Sequence, residues 1–359
     1  MNRGLADIKP YVGGKHKREA QDKYRVAQPV KLSSNENPLG VSPRALEHAR
    51  AILSEANLYP DGSNSDLRER IAEQCGIGPE SVVFGNGADE IIYYLAMSLL
   101  NDGDEVIIPR LTFPIYEIAC RTMRADIVYS DMDGLKIDAA DILRRITPNT
   151  KLIALCNPNN PTGHALQRDE VYGLMERVPQ DVLIIADEAY SDFADRESFP
   201  DSIARFRDGV SNIFIIKTLS KAYGIAGFRV GYGIGDAGIV ELIHRIKLPF
   251  NVSIVSQHAA LGALDDDAFI EETLRNTREG REAIYRAMDE LSLSYMPSST
   301  NFVLIDTGRD ADQVTEELMA RGVIVRSARN YGLPNSIRVT VGTAEQNQCF
   351  LDAMKGLFS

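Results

Sequence analysis

The stretch IFIIKTLSKAYGIAGFRVGYGIG, residues 213–235, decides the reading of this chain. Its first residues, Ile213 to Ile216, are a short continuous apolar run of the kind a buried strand shows. The run delivers the chain into Thr218, Leu219, Ser220 and Lys221, and Arg229 follows, so two hydroxyls and two cations crowd one turn. Gly224, Ala226 and Gly227 lie between them and are small enough for backbone to approach a bulky ligand closely. An amine that acts as a nucleophile needs lowered basicity, and a nearby cation such as Arg229 helps to supply it. A solvated lysine on a loop is the alternative for this stretch taken alone.

Around this stretch the chain has 359 residues, which implies roughly two domains. With 44% hydrophobic and 25% charged residues it falls in the soluble globular range. A net charge of -12 argues against nucleic acid as a partner, because binding a phosphate backbone needs a basic face. Cys75, Cys120, Cys156 and Cys349 are scattered, with no CxxC pair and no matched histidine spacing, so no metal site is expected and free thiols in a reducing compartment are. The first residues carry no apolar signal core, and no stretch approaches the ~18 apolar residues of a membrane span. The expectation is a cytoplasmic protein without a membrane partner.

Residues 1–40 read as a polar arm that ends in SSNENPLG, where Asn37-Pro38 and Gly40 mark a turn. Lacking a core of its own, the arm must lie against something else, on the smaller domain or a partner subunit. A helix is predicted from Ser42, with Pro43 at its first position. From about residue 66 onward short apolar runs alternate with helical patterns: strands are predicted at 81–84, 105–108, 126–129, 151–156, 182–186, 213–216 and 229–234. Continuous apolar strands are covered on both faces, so residues 41–265 read as a large, doubly wound, mostly parallel α/β sheet domain. The acidic run Asp265-Asp266-Asp267 is either a domain boundary or a helix N-terminus. Beyond it a long helix, strand 302–305, helix 311–321, strands 323–326 and 337–341 and a last helix make a smaller α+β domain over 266–359.

In such sheets ligands bind beyond the carboxyl ends of the strands, and four predicted strand ends carry polar residues. Gly85-Asn86-Gly87-Ala88-Asp89-Glu90 is a glycine turn opening a helix whose free N–H groups, at Ala88 and Asp89, can hold a phosphate. It lacks the third glycine of a dinucleotide fingerprint, which weakens a nicotinamide-dehydrogenase reading. The other three ends are NPNNPTG with Asn160, Asp187-Glu188-Ala189-Tyr190, and the Lys221 segment. Alone, each is explained by a turn or a helix cap. Together they place a phosphate cradle, an amide, an acid with a tyrosine, and a lysine along one edge.

TLSKAYG with Arg229, NPNNPTG, DEAY and NGADE resemble the signatures of fold-type-I aminotransferases that use pyridoxal phosphate. SSNENPLG, Tyr59-Pro60-Asp61 and RNYGLPNSIRVTVGT are similar more narrowly to histidinol-phosphate aminotransferases, and the resemblance covers nearly the whole chain. It implies pyridoxal phosphate as cofactor, with Lys221, Asp187 and Tyr190 as the catalytic residues. Lys221 would carry the cofactor and shuttle the proton, Asp187 would pair with the ring nitrogen, and Tyr190 and Asn160 would hydrogen-bond the ring oxygen. Arg229, Thr218, Ser220 and the N–H groups of Ala88 and Asp89 would bind the phosphate, and Phe113, where many relatives carry tyrosine, would stack on the ring. Tyr59 would reach the phosphate of the neighbouring subunit's cofactor, which implies a homodimer.

On the substrate side the resemblance offers Arg338 as the carboxylate-binding arginine, with Asn160 beside it. Arg326 could join Arg338, or be a surface ion pair, and Tyr11 matches an N-terminal tyrosine that approaches substrate. The implied activity is amino-group exchange between glutamate and imidazole-acetol phosphate in histidine synthesis. An aromatic amino-acid aminotransferase or a decarboxylase of a phosphorylated amino acid would use the same fold. A cofactor-binding sensor fused to a DNA-binding module would need a basic helix-turn-helix segment that residues 1–40 do not show.

Overall fold

The structure, a computed structural model, describes residues 13–358 together with Leu5, Ile8 and Pro10. In chain order the strands among them are β1 (Val30–Lys31), β2 (Val82–Asn86), β3 (Glu105–Pro109), β4 (Asp126–Ser130), β5 (Met132–Asp133), β6 (Lys136–Ile137), β7 (Thr150–Cys156), β8 (Leu183–Asp187), β9 (Ile213–Thr218) and β10 (Val230–Ile234). They are followed by β11 (Ser294–Met296), β12 (Phe302–Asp306), β13 (Val323–Ile324), β14 (Arg326–Ser327) and β15 (Ser336–Thr340).

Successive residues of β9 point to opposite faces of its sheet, as strand geometry requires. Ile213 and Ile215 enter one apolar cluster, with Leu67, Leu155 and Ala259, while Phe214 and Ile216 enter another, with Ile91, Leu95 and Val240. Both faces are therefore dry, which is why the strand reads as an unbroken apolar run. The sheet has seven strands in the order β2-β10-β9-β8-β7-β3-β4. All its neighbours are parallel except β10, which runs antiparallel to both β2 and β9. Helices cover both faces, so the expected doubly wound, mostly parallel α/β architecture is observed. Two glycines of the opening stretch have a local reason: a Cβ on Gly233 or Gly235 would run into the Phe214 ring.

A second, antiparallel sheet has the order β11-β12-β15-β14. It is backed by helices Asp267–Glu290, Ala311–Ala320 and Ala344–Phe358 through Ile284, Met288, Val314, Leu318, Phe350 and Met354. The strand expected across 323–326 is broken at Val325. β13 pairs in parallel with β1 from the N-terminal arm, while β14 pairs with β15. Apolar periodicity reports burial, not which neighbour a strand pairs with, so the break leaves no trace in the sequence.

The arm is more than a polar tail. Helix Lys17–Tyr24 seats Ala20 against Met319 and Ile324, and Tyr24 Oη donates to Glu316 Oε2 at 2.5 Å. Leu32, just past β1, is buried in the core behind the second sheet. The predicted helix from Ser42 forms over Pro43–Ile52, and Ser42 Oγ accepts from Ala45 N at 3.2 Å. The acidic run holds a helix N-terminus: the long helix starts at Asp267, and Ser42 Oγ donates to Asp266 Oδ2 at 2.6 Å.

Candidate active site

Because β10 runs backwards, its first residues lie at the same edge as the carboxyl ends of β2, β7, β8 and β9. That reversal brings Arg229, just ahead of β10, to the N-terminus of helix Ala88–Leu99, just after β2. A Cβ on Gly87 would meet the Arg229 guanidinium, and one on Gly231 would meet the Ala88 N–H. Only glycine permits this close approach, and Gly87 also needs it for its φ of 84°. Arg229 Nη2 lies 3.7 Å from Asp89 Oδ2, and Thr218 and Ser220 add hydroxyls beside it. Free helix N–H groups, a guanidinium and two hydroxyls form a cradle for a dianion.

A cavity of about 350 Å³ extends from this cradle. Its lining includes Ala88, Asp89, Phe113, Asn160, Asp187, Tyr190, Thr218, Ser220, Lys221, Arg229, Arg326 and Arg338. Of the described residues singled out in the sequence, Tyr59 alone is not part of this lining. Tyr11 lies outside the described residues. Tyr59 is 82% exposed and stacks on Phe250 with ring centroids 4.6 Å apart, away from this chain's own cavity.

At the cavity floor Asp187 is buried, and its carboxylate accepts hydrogen bonds from the Tyr116 hydroxyl and from Ala189 N at 3.0 Å. Among the described residues no cation pairs with it. Burial raises its pKa to about 6, against the opposing pull of the two hydrogen bonds. Lys221 is half-buried, its Nζ 3.4 Å from the Ser34 carbonyl and 5.8 Å from the centre of the Tyr190 ring. Its pKa falls to about 8, first through burial and next through the Arg338 charge, with Asp89 and Glu36 pulling the other way. Arg229, which the sequence suggested as the nearby cation, contributes least of these. Chain proximity was a poor guide, because the larger field comes from a strand of the other sheet.

Arg326, expected either in the site or in a surface ion pair, is 7% exposed and lines the cavity. Arg338 donates from Nη1 to Asn160 Oδ1 and from Nη2 to the Ser33 carbonyl at 3.3 Å, while its buried Nε has no partner among the described residues. Its guanidinium also sits 5.0 Å from the centre of the Phe302 ring. The arm thus supplies a wall that the sequence did not reveal. Ser33 and Ser34 offer carbonyls to Arg338 and Lys221, and Asn35 Nδ2 donates to Tyr190 Oη at 2.8 Å. Tyr116 was missed as well, because an aromatic residue on an apolar helix face reads as core. SSNENPLG carries the arm's signal, as a turn and as part of the family resemblance, but neither reading assigns its residues a contact.

The donor set has a definite complement. It suits a flat ring with a basic nitrogen facing the uncompensated Asp187 carboxylate, a phosphate in the Arg229 cradle, and a carbonyl carbon within reach of a weakly basic amine. Pyridoxal phosphate has all three, so the residues present fit the cofactor implied by the sequence.

Comparison with known proteins agrees with this chemistry. The family model for aminotransferase class I and II matches residues 27–354. The histidinol-phosphate aminotransferase of Moorella thermoacetica is 39% identical over 355 residues, covering 99% of this chain and 92% of its own. That of Symbiobacterium thermophilum is 41% identical over 348 residues, covering 97% and 96%. Among solved structures, the histidinol-phosphate aminotransferase of Clostridium acetobutylicum has a TM-score of 0.84 at 27% identity, covering 91% of this chain and 98% of its own. The Sinorhizobium meliloti enzyme, solved in complex with pyridoxal-5'-phosphate, has a TM-score of 0.89 at 24% identity over 99% and 98%, a likeness of fold. A family model matched almost from end to end, with curated relatives near 40% identical over nearly the whole chain, leaves one conclusion: the chain belongs to the class I and II aminotransferases.

Proposed function

We propose that the protein exchanges an amino group between glutamate and imidazole-acetol phosphate, through 2-oxoglutarate and histidinol phosphate, in histidine biosynthesis, with pyridoxal phosphate as its cofactor. The observation that carries the substrate reading is that two buried guanidinium side chains, Arg326 and Arg338, line the cavity that holds Lys221. Glutamate presents a carboxylate and histidinol phosphate a phosphate, and paired arginines can serve both anions in alternate half-reactions.

When bound, pyridoxal phosphate supplies an electron sink for the charge left when a substrate carbon loses its proton. Asp187 would hold the proton on the ring nitrogen, and Tyr190 and Asn160 would hydrogen-bond the ring oxygen. Arg229, Thr218, Ser220 and the N–H groups of Ala88 and Asp89 would hold the phosphate, with Phe113 against the ring face. Lys221 would anchor the cofactor, give way to the substrate amine, and use its freed Nζ to take the proton from the amine-bearing carbon and later return one. Arg338, with Arg326 and Tyr11, would orient the substrate's anionic end.

The same reading divides the chain into an arm (1–40), a large cofactor-binding domain (41–265) and a smaller domain (266–359). It also implies a cytoplasmic homodimer. Tyr59, Leu58, Leu248 and Phe250 are exposed apolar side chains, which favours a second copy covering them, with Tyr59 reaching the neighbouring cofactor's phosphate. Among the described residues no helix is long and apolar enough to cross a membrane.

Steady-state kinetics with histidinol phosphate and 2-oxoglutarate test the substrate reading: kcat/KM with this pair exceeds that with phenylalanine, and undetectable turnover would sink it. Arg338→Ala lowers kcat/KM by roughly 10²-fold with both histidinol phosphate and glutamate, because each anion loses a buried charged partner. A loss confined to one of the two substrates would show that separate groups bind them.

A further inference from the structure

The Asn35 side chain is 2% exposed and its backbone sits at φ 55°, in the left-handed region that asparagine, aspartate and glycine enter at least cost. Its main-chain N–H donates to Thr340 Oγ1 at 2.9 Å, and its carbonyl accepts from Asn301 Nδ2 at 3.0 Å. Having accepted that N–H, the Thr340 hydroxyl turns its single proton to Asn35 Oδ1 at 3.1 Å. A flipped amide would leave the buried Thr340 proton without this acceptor, so Oδ1 faces Thr340 and Nδ2 faces Tyr190 Oη, 2.8 Å away. Tyr190 Oη is then an acceptor toward the arm, and among the described residues no protein acceptor takes its proton.

Building on the proposed function, we propose that Asn35 is a positioning residue: by donating to Tyr190 Oη it commits the tyrosine's own proton to the cavity, where the cofactor's ring oxygen would be held. The tyrosine is the group that would contact the cofactor, and Asn35 acts through it. The other ionisable groups near this hydroxyl are Arg338, Cys156, Tyr331 and, over the ring, Lys221, and substitution at Asn35 leaves all four in place.

A hydrogen bond to an oxygen that carries negative charge favours the deprotonated form, so weakening that bond raises the pH at which the bound cofactor's absorption titrates. Asn35→Gly keeps the left-handed backbone and deletes the contact. Asn35→Asp keeps size and backbone and presents Tyr190 with an acceptor, which draws the proton away from the cavity. Spectrophotometric pH titration of the cofactor-loaded variants is expected to show the midpoint raised by about half to one unit in Asn35→Gly, and by more in Asn35→Asp. In a Tyr190→Phe background, Asn35→Gly should add no further shift. A residue that merely braced the arm would lower the melting temperature of both variants without moving the midpoint. Unmoved midpoints, or an equal shift without the tyrosine hydroxyl, overturn the inference alone. A wild-type protein that develops no cofactor band when supplemented with pyridoxal phosphate overturns the functional reading, and this inference with it.

Discussion

Changing Lys221 to alanine lowers kcat by roughly 10⁴-fold or more, since the proposed function asks one residue to be both the cofactor's covalent anchor and the base at the substrate carbon. The amine suits both tasks because its pKa is about 8, so that roughly a tenth of it is neutral at pH 7. The rate of cofactor capture by wild-type protein should rise with pH and level off above about 8. Lys221→Arg should fail as completely as alanine, because a guanidinium gives up no proton in this range. Stopped-flow absorbance separates the parts: Lys221→Ala still binds the cofactor through the Arg229 cradle, but shows neither the lysine-linked absorption band nor single-turnover exchange. An alanine variant with more than a hundredth of wild-type kcat would rule Lys221 out.

Asp187→Asn is expected to give opposite results in loaded and empty protein. In the loaded enzyme kcat falls by about 10³-fold, because an amide cannot hold a positive charge on the ring nitrogen. The empty protein becomes more stable. Burial raises the carboxyl from 3.8 to about 6, so its contribution to stability is complete below about pH 4 and is lost as pH rises through 6. Above that, the ionised and uncompensated carboxylate costs about 3 kcal/mol, which the asparagine avoids while Tyr116 turns its hydroxyl to meet the amide. Urea unfolding of cofactor-free protein at pH 8 should therefore favour Asp187→Asn, with the gap closing toward pH 4. An equal gap at both pH values would contradict this account.

The large sheet was legible because each central strand is covered twice, and double coverage leaves continuous runs such as Ile213 to Ile216. The cavity's cradle, amide, acid and lysine were legible for a related reason: polar residues directly after such runs have nowhere to be but the strand ends. Other features depend on what folds opposite them. Tyr116 is set apart from a core aromatic by its bond to Asp187, and Asn35 from a turn residue by its bonds to Tyr190, Thr340 and Asn301. Arg338 outweighs Arg229 at Lys221 because the two sheets meet there, which no local spacing encodes. The Val325 break follows from β1 arriving beside β13, and β1 is too short to announce itself.

The route of the arm also sets when this protein can begin to work. Thr340, the partner of Asn35, is translated 305 residues after it, and the Ser33 carbonyl waits as long for Arg338. At about 5–20 residues per second that delay is roughly 15–60 s. Throughout it the large sheet can fold around its own core while the wall of the cavity stays unbuilt. The growing chain is therefore a sheet with an open lysine, and its cavity gains this wall only once β15 has been made and meets the arm.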